Sequence, residues 1–466
     1  MSTPDGLTYD VRIWAIHKYK GKRGNTYTVK WGVAGSKPQR TFTTLKLAEA
    51  FRTDLLVAAR DGVLFDIETG LPVTMRRRRA SRTWYEHAKE FAVEKWAHVS
   101  PRHRMGIAEA LTNITTVLVS TTEHAPSEVE LRQALYRWAF NAPAQEADVP
   151  DEYFAAISWI EDASVPLRSL QEAPVLRKAL NALATTLDNR AAAPATVARK
   201  RAVFHNALEY AVELEFFDSN PMKRVKWRPA NVTDAVDRRV VVNPDQARSL
   251  LEAVRDADPA VEGFFACLYY AGLRPAEARN LRLTDCGLPD SGWGELLLTG
   301  SHQVAGAAWT NSGESSEERQ LKHRSVKDTR HVPAHPDLVA TLRRHNDTFG
   351  TGADGRLFVT RSGKAGVPLS PPFCNPLSPG TAYRVWHKAR AVALSAALFD
   401  SPLARRPYDL RHACLSTWLN AGVPPAQVAE WAGHSVNVLL RVYAKCVDGQ
   451  DVVAKQRIEA ALALSK

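Results

Sequence analysis

Four side chains toward the end of this 466-residue chain carry groups that can do chemistry together: the phenol of Tyr408, the guanidinium of Arg411, the imidazole of His434 and the phenol of Tyr443. A guanidinium holds an oxyanion through two parallel hydrogen bonds, which an ammonium cannot do. A phenol, with an unperturbed pKa of about 10, is a poor nucleophile at neutral pH unless nearby positive charge favours the phenolate.

Local structure explains how such residues could meet. A helix after Pro407 places Tyr408 and Arg411 one turn apart on one face, and Ala421–Gly422 ends it. Pro424 and Pro425 open a second helix, AQVAEWA, which stops at Gly433, a natural left-handed cap. His434 follows directly, and a third apolar segment, VNVLLRVYAK, carries Tyr443 nine positions beyond it. Upstream, PAVEGFFACLYYAGLRPAEARN reads as a buried helix ending at Ala271–Gly272. A second helix begins near Pro275, with Arg274 at its mouth and Glu277 three residues on. Taken alone, that pair reads equally as a surface Arg–Glu contact at a helix start.

Y-x-x-R, then G-H with the histidine 23 positions after the arginine, then a tyrosine nine further, resembles the second box of the tyrosine recombinases, the phage integrase family. There the pattern is H-x-x-R, then H or W, then the nucleophilic tyrosine. G-L-R-x-x-E at 272–277 is similar to the first box. One position departs, since Tyr408 stands where most members have histidine. The resemblance implies that Arg274 and Arg411 hold a scissile phosphate, that Glu277 braces Arg274, and that His434 adds a hydrogen bond. Tyr443 would attack to form a 3′-phosphotyrosyl bond. A lysine from a β-hairpin would protonate the departing 5′ oxygen, Lys322 being the choice and Lys327 the alternative. Tyr408 would contact the phosphate or brace Tyr443. No cofactor, metal or ATP is implied, because the bond energy stays in the phosphotyrosine.

Composition bounds the class. A formal charge of +11 and a pI near 9.4 favour a polyanionic partner, nucleic acid above a membrane. No run of 18 uncharged apolar residues and no signal-peptide pattern is present, and five scattered cysteines without C-x-x-C spacing fit a reduced, cytoplasmic, nucleoid-associated protein.

The expected fold class is multidomain α+β. Residues 1–72 read as three strands and a helix, and this stretch looks like the small N-terminal domain with which many integrases bind arm-type DNA sites. Its stripe is Leu47, Ala50, Phe51, Leu55 and Ala58. Its exposed face would carry Arg12, Trp14, Lys18, Lys20, Lys22, Arg23, Lys30 and Arg40 toward DNA, or else be a solvated polar surface. Residues 73–232 read as an all-helical core-binding domain with basic linkers, Arg76–Arg79 among them. Its last helix, ATVARKRAVFHNALEYAVELEFF, would present Arg199 and Lys200. Residues 233–466 read as a mainly α catalytic domain with a small sheet, opening on a helix capped by Asn243 and Gln246. Between its strands, SHQVAGAAWTNSGESSEERQ reads as a polar insertion. A final helix with Ala454, Ile458, Ala461 and Leu462 on one stripe would dock on another protomer or pack in cis. The resemblance implies an integrase that recombines double-stranded attachment sites as a homotetramer, with a directionality factor or DNA-bending protein as helper and no membrane partner. A type IB topoisomerase and a catalytically silent DNA-binding regulator are the competing readings.

Overall fold

The computed structural model describes residues 6–21, 24–42, 44–75, 82–227, 235–321, 328–363, 366–443, 455–456, 458–459 and 462. The fold is multidomain α+β, and the chain divides into two compact units, Met1–Ala230 and Asn231–Lys466. Among the described residues no helix is long and apolar enough to cross a membrane.

In the first unit, β1 (Leu7–Thr8) precedes β2 (Val11–Ile13), β3 (His17–Gly21), β4 (Gly24–Val33) and β5 (Gln39–Phe42). Long β4 is the centre of the sheet, pairing antiparallel with β2 and β3 along one edge and with β5 along the other. The stretch expected as one first strand is broken. Its register slips by one residue between Ile13↔Trp31 and His17↔Thr28, the mark of a bulge that adds local twist. Helix α1 (Leu45–Arg60) packs Ala48, Phe51, Leu55 and Ala58 onto Val29, Trp31, Val33 and Phe42. Ala48 takes the core place expected of Ala50, which is exposed; the Leu47 side chain lies outside the described residues. Strand β6 (Phe65–Asp66) pairs with β1, and the Trp31 indole donates to the Gly70 carbonyl at 2.6 Å, closing the small core.

Six helices follow: α2 (Trp84–Trp96), α3 (Pro101–Thr115), α4 (Glu128–Ala134), α5 (Asp151–Ala163), α6 (Ala173–Ala182) and α7 (Pro194–Glu213). Their starts are written in the sequence. Thr83 with Glu86 and Ser127 with Glu130 form reciprocal capping boxes, and Ser100 caps α3 ahead of Pro101. Trp84 stands edge-on to Phe204 of α7, and its indole donates to Thr115 at 2.9 Å. A buried side chain of this size is worth about 1.5–3 kcal/mol relative to exposure. After α7, Asn220 accepts from the Met222 amide and donates to the His205 carbonyl and the Glu209 carboxylate, fixing the chain reversal at Asn220–Pro221.

The second unit begins with α8 (Pro244–Ala257), where Asn243 and Gln246 cap each other's backbone amides at 2.9 and 3.0 Å as expected. Helix α9 (Glu262–Tyr270) is buried nearly all round, and short α10 (Pro275–Ala278) follows. Strands β7 (Cys286–Gly287), β8 (Gly294–Leu298) and, later, β11 (Arg330–Ala334) make a three-stranded antiparallel sheet. The insertion between them is ordered rather than irregular. Strands β9 (Ser301–Val304) and β10 (Ser316–Arg319) form a hairpin that buries His302, Trp309 and Thr310. Helices α11 (Pro336–Phe349), α12 (Pro379–Ala393), α13 (Ala396–Asp400), α14 (Asp409–Asn420), α15 (Pro425–Ala432) and α16 (Val436–Tyr443) complete the unit. Phe265 stacks on Trp386 at 5.1 Å in the main core, while Leu415, Val428, Leu439 and Tyr443 belong to a second core under the last three helices.

Candidate active site

The site forms where the α9–α10 turn meets the α15–α16 turn. Gly272 ends α9 at φ +58°, and a Cβ there would meet Leu415 at 2.7 Å, so only glycine lets α14 approach this closely. Gly433 caps α15 in the left-handed region at φ 62°, ψ 48°, and a Cβ on it would run into the guanidinium of Arg330. Gly433 leaves open the space that Arg330 and Arg274 occupy.

Arg274 sits at the N-cap of α10. It donates to the Glu277 carboxylate at 2.7 Å and to the Gly433 carbonyl at 2.8 Å, while its amide donates to Glu277 at 2.9 Å. Arg411 is fully buried in α14. It donates to the Gly272 carbonyl, to the Ala432 carbonyl at 2.6 Å, and lies 3.1 Å from His434 Nε2. Two arginines from separate segments thus converge on three consecutive residues, Ala432 to His434.

A third cation joins them. Arg330, at the start of β11, meets Glu277 through two bonds of 3.0 and 2.7 Å and is almost wholly buried. Burial alone would raise the Glu277 carboxyl, but Arg330 and then Arg274 outweigh it and hold the pKa down at about 2. Three guanidinium groups face one carboxylate, which leaves the cluster cationic.

Burial, Arg411 and Arg274 together press His434 down to about 3, so the free protein carries it neutral. His434 Nδ1 and Arg411 Nε are buried with no hydrogen-bond partner among the described residues. Buried polar atoms of this kind cost free energy unless a ligand or water meets them.

Tyr443 ends α16 with its ring fully buried, and its hydroxyl lies 2.9 Å from Nδ1 of His412. His412 is held neutral by burial, then by Arg406 and Arg411, with its pKa pressed down to about 4. The Tyr408 ring stands edge-on to His412, centroids 5.0 Å apart.

Arg274 and Arg411 thus meet beside the His434 imidazole in a cationic cluster, and the Tyr443 phenol bonds His412, the residue next to Arg411. Several solved structures are similar to the chain at low sequence identity. It is similar to the Tn1549 transposon integrase in complex with circular intermediate DNA, at 17% identity over 70% of this chain and 98% of that one, with a TM-score of 0.45. It is similar to the XerH site-specific recombinase bound to its difH substrate, at 12% identity over 82% and 95% of the two chains, TM-score 0.44. The lambda integrase bound to DNA matches at 14% identity over 61% and 84%, TM-score 0.38. No protein-family profile and no curated protein matches the chain.

Of the residues expected at a tyrosine recombinase site, Arg274, Arg411 and His434 share one cluster, and Glu277 braces Arg274 as expected. Tyr443 enters through His412. Tyr408 touches His412, which in turn bonds Tyr443. Lys322 and Lys327 lie outside the described residues. Arg330 and His412 escaped the sequence reading. Arg330 shares a strand face with Val332 and Ala334, and a guanidinium in that register announces a buried carboxylate partner. His412 is four residues after Tyr408, on the same helix face.

The expected DNA-facing residues divide. Arg12, Trp14 and Lys30 lie on the open face of the sheet, with Trp14 lying 3.3 Å from where a Cβ on Gly32 would stand. Lys18 pairs with Tyr27, which puts it on the helix side at the sheet edge. Arg40 pairs with Val29 and turns inward to cover Phe51 and bind Glu215, so it is no part of the exposed face. The Lys20 side chain, and Lys22 and Arg23, fall outside the described residues, as does Arg76–Arg79. Arg199 is exposed and pairs with Glu109 at 3.2 Å. Lys200 is fully buried, bonded to Glu109, Asn113 and the Thr185 carbonyl; it ties α7 to α3 and does not face a ligand. The C-terminal residues Ile458 and Leu462 are exposed, while Ala454 and Ala461 lie outside the described residues.

Proposed function

We propose that the chain is a site-specific DNA recombinase, an integrase that cleaves and rejoins strands through a 3′-phosphotyrosyl intermediate. The observation that carries the reading is the meeting of Arg274 and Arg411 at Ala432–His434, one turn ahead of the helix that bears Tyr443. A phosphodiester is an anion that repels nucleophiles, and its pentacoordinate transition state carries still more negative charge. Preorganised guanidiniums stabilise that growing charge and cost no reorganisation when it appears.

In this reading the carbonyls of Gly272, Ala432 and Gly433 hold Arg411 and Arg274 in place, and the non-bridging oxygens are met by the guanidinium N–H groups that these bonds leave over. Arg330 neutralises Glu277, which frees the field of the other two arginines for the phosphate. His434, neutral and accepting from Arg411 at Nε2, carries its proton on the orphaned Nδ1, which donates to the phosphate. Tyr443 attacks, Lys322 protonates the 5′ oxygen, and attack by a 5′ hydroxyl of a second duplex reseals the strand. The energy of the broken bond is kept in the phosphotyrosine, so neither ATP nor a metal is needed. Arg12, Trp14 and Lys30 on the open sheet face supply arm-site contacts to phosphate and groove. Exposed Ile458 and Leu462 supply a docking face between protomers of a tetramer that integrates or excises a mobile element.

A nicked suicide duplex carrying the element's attachment site, mixed with the protein in chelator, is expected to trap a covalent adduct. Joining of strands between two different duplexes is expected to follow when the nick is absent. Adduct without such exchange would favour the topoisomerase reading, and binding without adduct would favour a silent regulator.

A further inference from the structure

If Tyr443 is the nucleophile, its proton must go somewhere as the oxygen attacks. We propose that His412 is the catalytic base that takes the Tyr443 proton at Nδ1 and returns it when the strand is resealed. The inference rests on the recombinase reading above and extends it to a residue that the motif does not include.

Geometry points to His412. Its Nδ1 lies 2.9 Å from Tyr443 Oη, within the reach required of a general base. In the tautomer that carries its proton on Nε2, the neutral ring has a lone pair to offer there. Burial, Arg406 and Arg411 keep the ring neutral in the free protein. The other groups nearby serve less well. Tyr408 is a phenol and a weak base near neutral pH, and its ring is spent edge-on against His412. His434 has its Nε2 directed at Arg411, whose guanidinium stays protonated. Tyr408 at the usual histidine position, with histidine one turn later on the same face, keeps an imidazole beside the nucleophile.

The step balances. The Oη–H proton passes to Nδ1 and makes an imidazolium, while an Oη lone pair forms the O–P bond. The P–O5′ bond breaks with its electron pair on the 5′ oxygen, which takes its proton from Lys322. Arg406 and Arg411 disfavour the imidazolium in the free protein, and the bound phosphate with its growing charge offsets that cost. On resealing, the imidazolium hands the proton to the departing phenol.

The test uses the full chain and the nicked attachment-site duplex under single-turnover conditions. His412→Asn preserves the hydrogen-bonding shape of Nδ1 without its basicity. It is expected to slow adduct formation by about 10²–10⁴ with DNA affinity unchanged. Replacing Tyr443 by 3,5-difluorotyrosine, a more acidic phenol, is expected to restore much of that rate in His412→Asn and to change the unmodified chain little. A variant that cleaves within about threefold of the unmodified chain, or a slow one that fluorination does not rescue, would overturn the proposal. Should His412→Asn fail to fold, the fluorinated tyrosines in the otherwise unmodified chain decide. A rate nearly flat with phenol acidity supports a base, and a rate rising steeply with acidity at neutral pH refutes one. An unmodified chain that forms no adduct removes the recombinase reading, and this inference with it.

Discussion

Arg330 grips Glu277 through two parallel bonds, Nη1 to Oε1 at 3.0 Å and Nη2 to Oε2 at 2.7 Å, with neither side chain more than 2% exposed. Glu277 also braces Arg274, so one carboxylate sets the position of a strand, a helix start and the Arg274 guanidinium. Removing one member of a buried pair leaves the other charge uncompensated. Arg330→Ala should therefore cost about 3–5 kcal/mol in denaturant unfolding. Arg330→Lys, which lacks the fork, should recover only part of that loss and leave DNA cleavage impaired.

Gly433→Ala should be far worse than a usual cap substitution. The new Cβ meets Arg330 and stands 3.3 Å from Arg274, in a backbone region that disfavours L side chains. Cleavage is expected to fall at least tenfold while site-specific DNA affinity changes much less. Gel-shift and single-turnover assays on one preparation would show the split.

In the proposed mechanism His434→Ala removes a hydrogen bond to the phosphate. The expected loss is on the order of 10²–10³ in cleavage rate. Equal loss of DNA binding would mean that His434 holds the fold rather than the transition state.

Acid should unfold the protein earlier than its carboxylates require. His412 and His434 are pressed down to about 4 and 3 by burial first and by neighbouring arginines second, and His87 in the first unit is pressed down to about 4 mainly by burial. Each is neutral when folded and takes a proton near pH 6.5 when unfolded, so the unfolded state binds more protons. Stability contributed this way is complete above pH 6.5 and is lost as pH falls from 6.5 toward 4. Glu277, held down at about 2, adds a second loss as pH falls from about 4.5 toward 2. Melting temperature followed from pH 7.5 to 4 should drop steadily, and a flat profile would contradict these environments.

Lys200 and Lys30 separate structure from DNA contact. Lys200→Ala breaks a buried pair with Glu109 and should lower the melting temperature. Lys30→Ala, on the open sheet face, should leave melting unchanged while weakening arm-site binding and reducing its salt dependence by about one counterion.

Much of this was legible because local rules act alone at the places concerned. Asn243 with Gln246, Gly433 as a left-handed stop, and the box arginines each declare themselves by spacing. What stayed hidden depended on partners distant in sequence. Arg330 reads as one more basic residue until β11 pairs with β8 and turns it toward Glu277. Arg40 and Lys200 look like DNA ligands until strand register and helix packing bury them against Glu215 and Glu109. His412 could have been found from its place four residues after Tyr408, but the position of its partner, Tyr443, is set by the packing of three helices.

The central claim is that Tyr443 becomes covalently joined to a 3′ phosphate. The direct measurement is mass spectrometry of the protein trapped on a nicked attachment-site duplex in chelator, digested with nuclease and protease. The account predicts a nucleotide mass on the peptide containing Tyr443, absent in Tyr443→Phe. A modified peptide elsewhere in the chain, or an adduct that survives Tyr443→Phe, would contradict it.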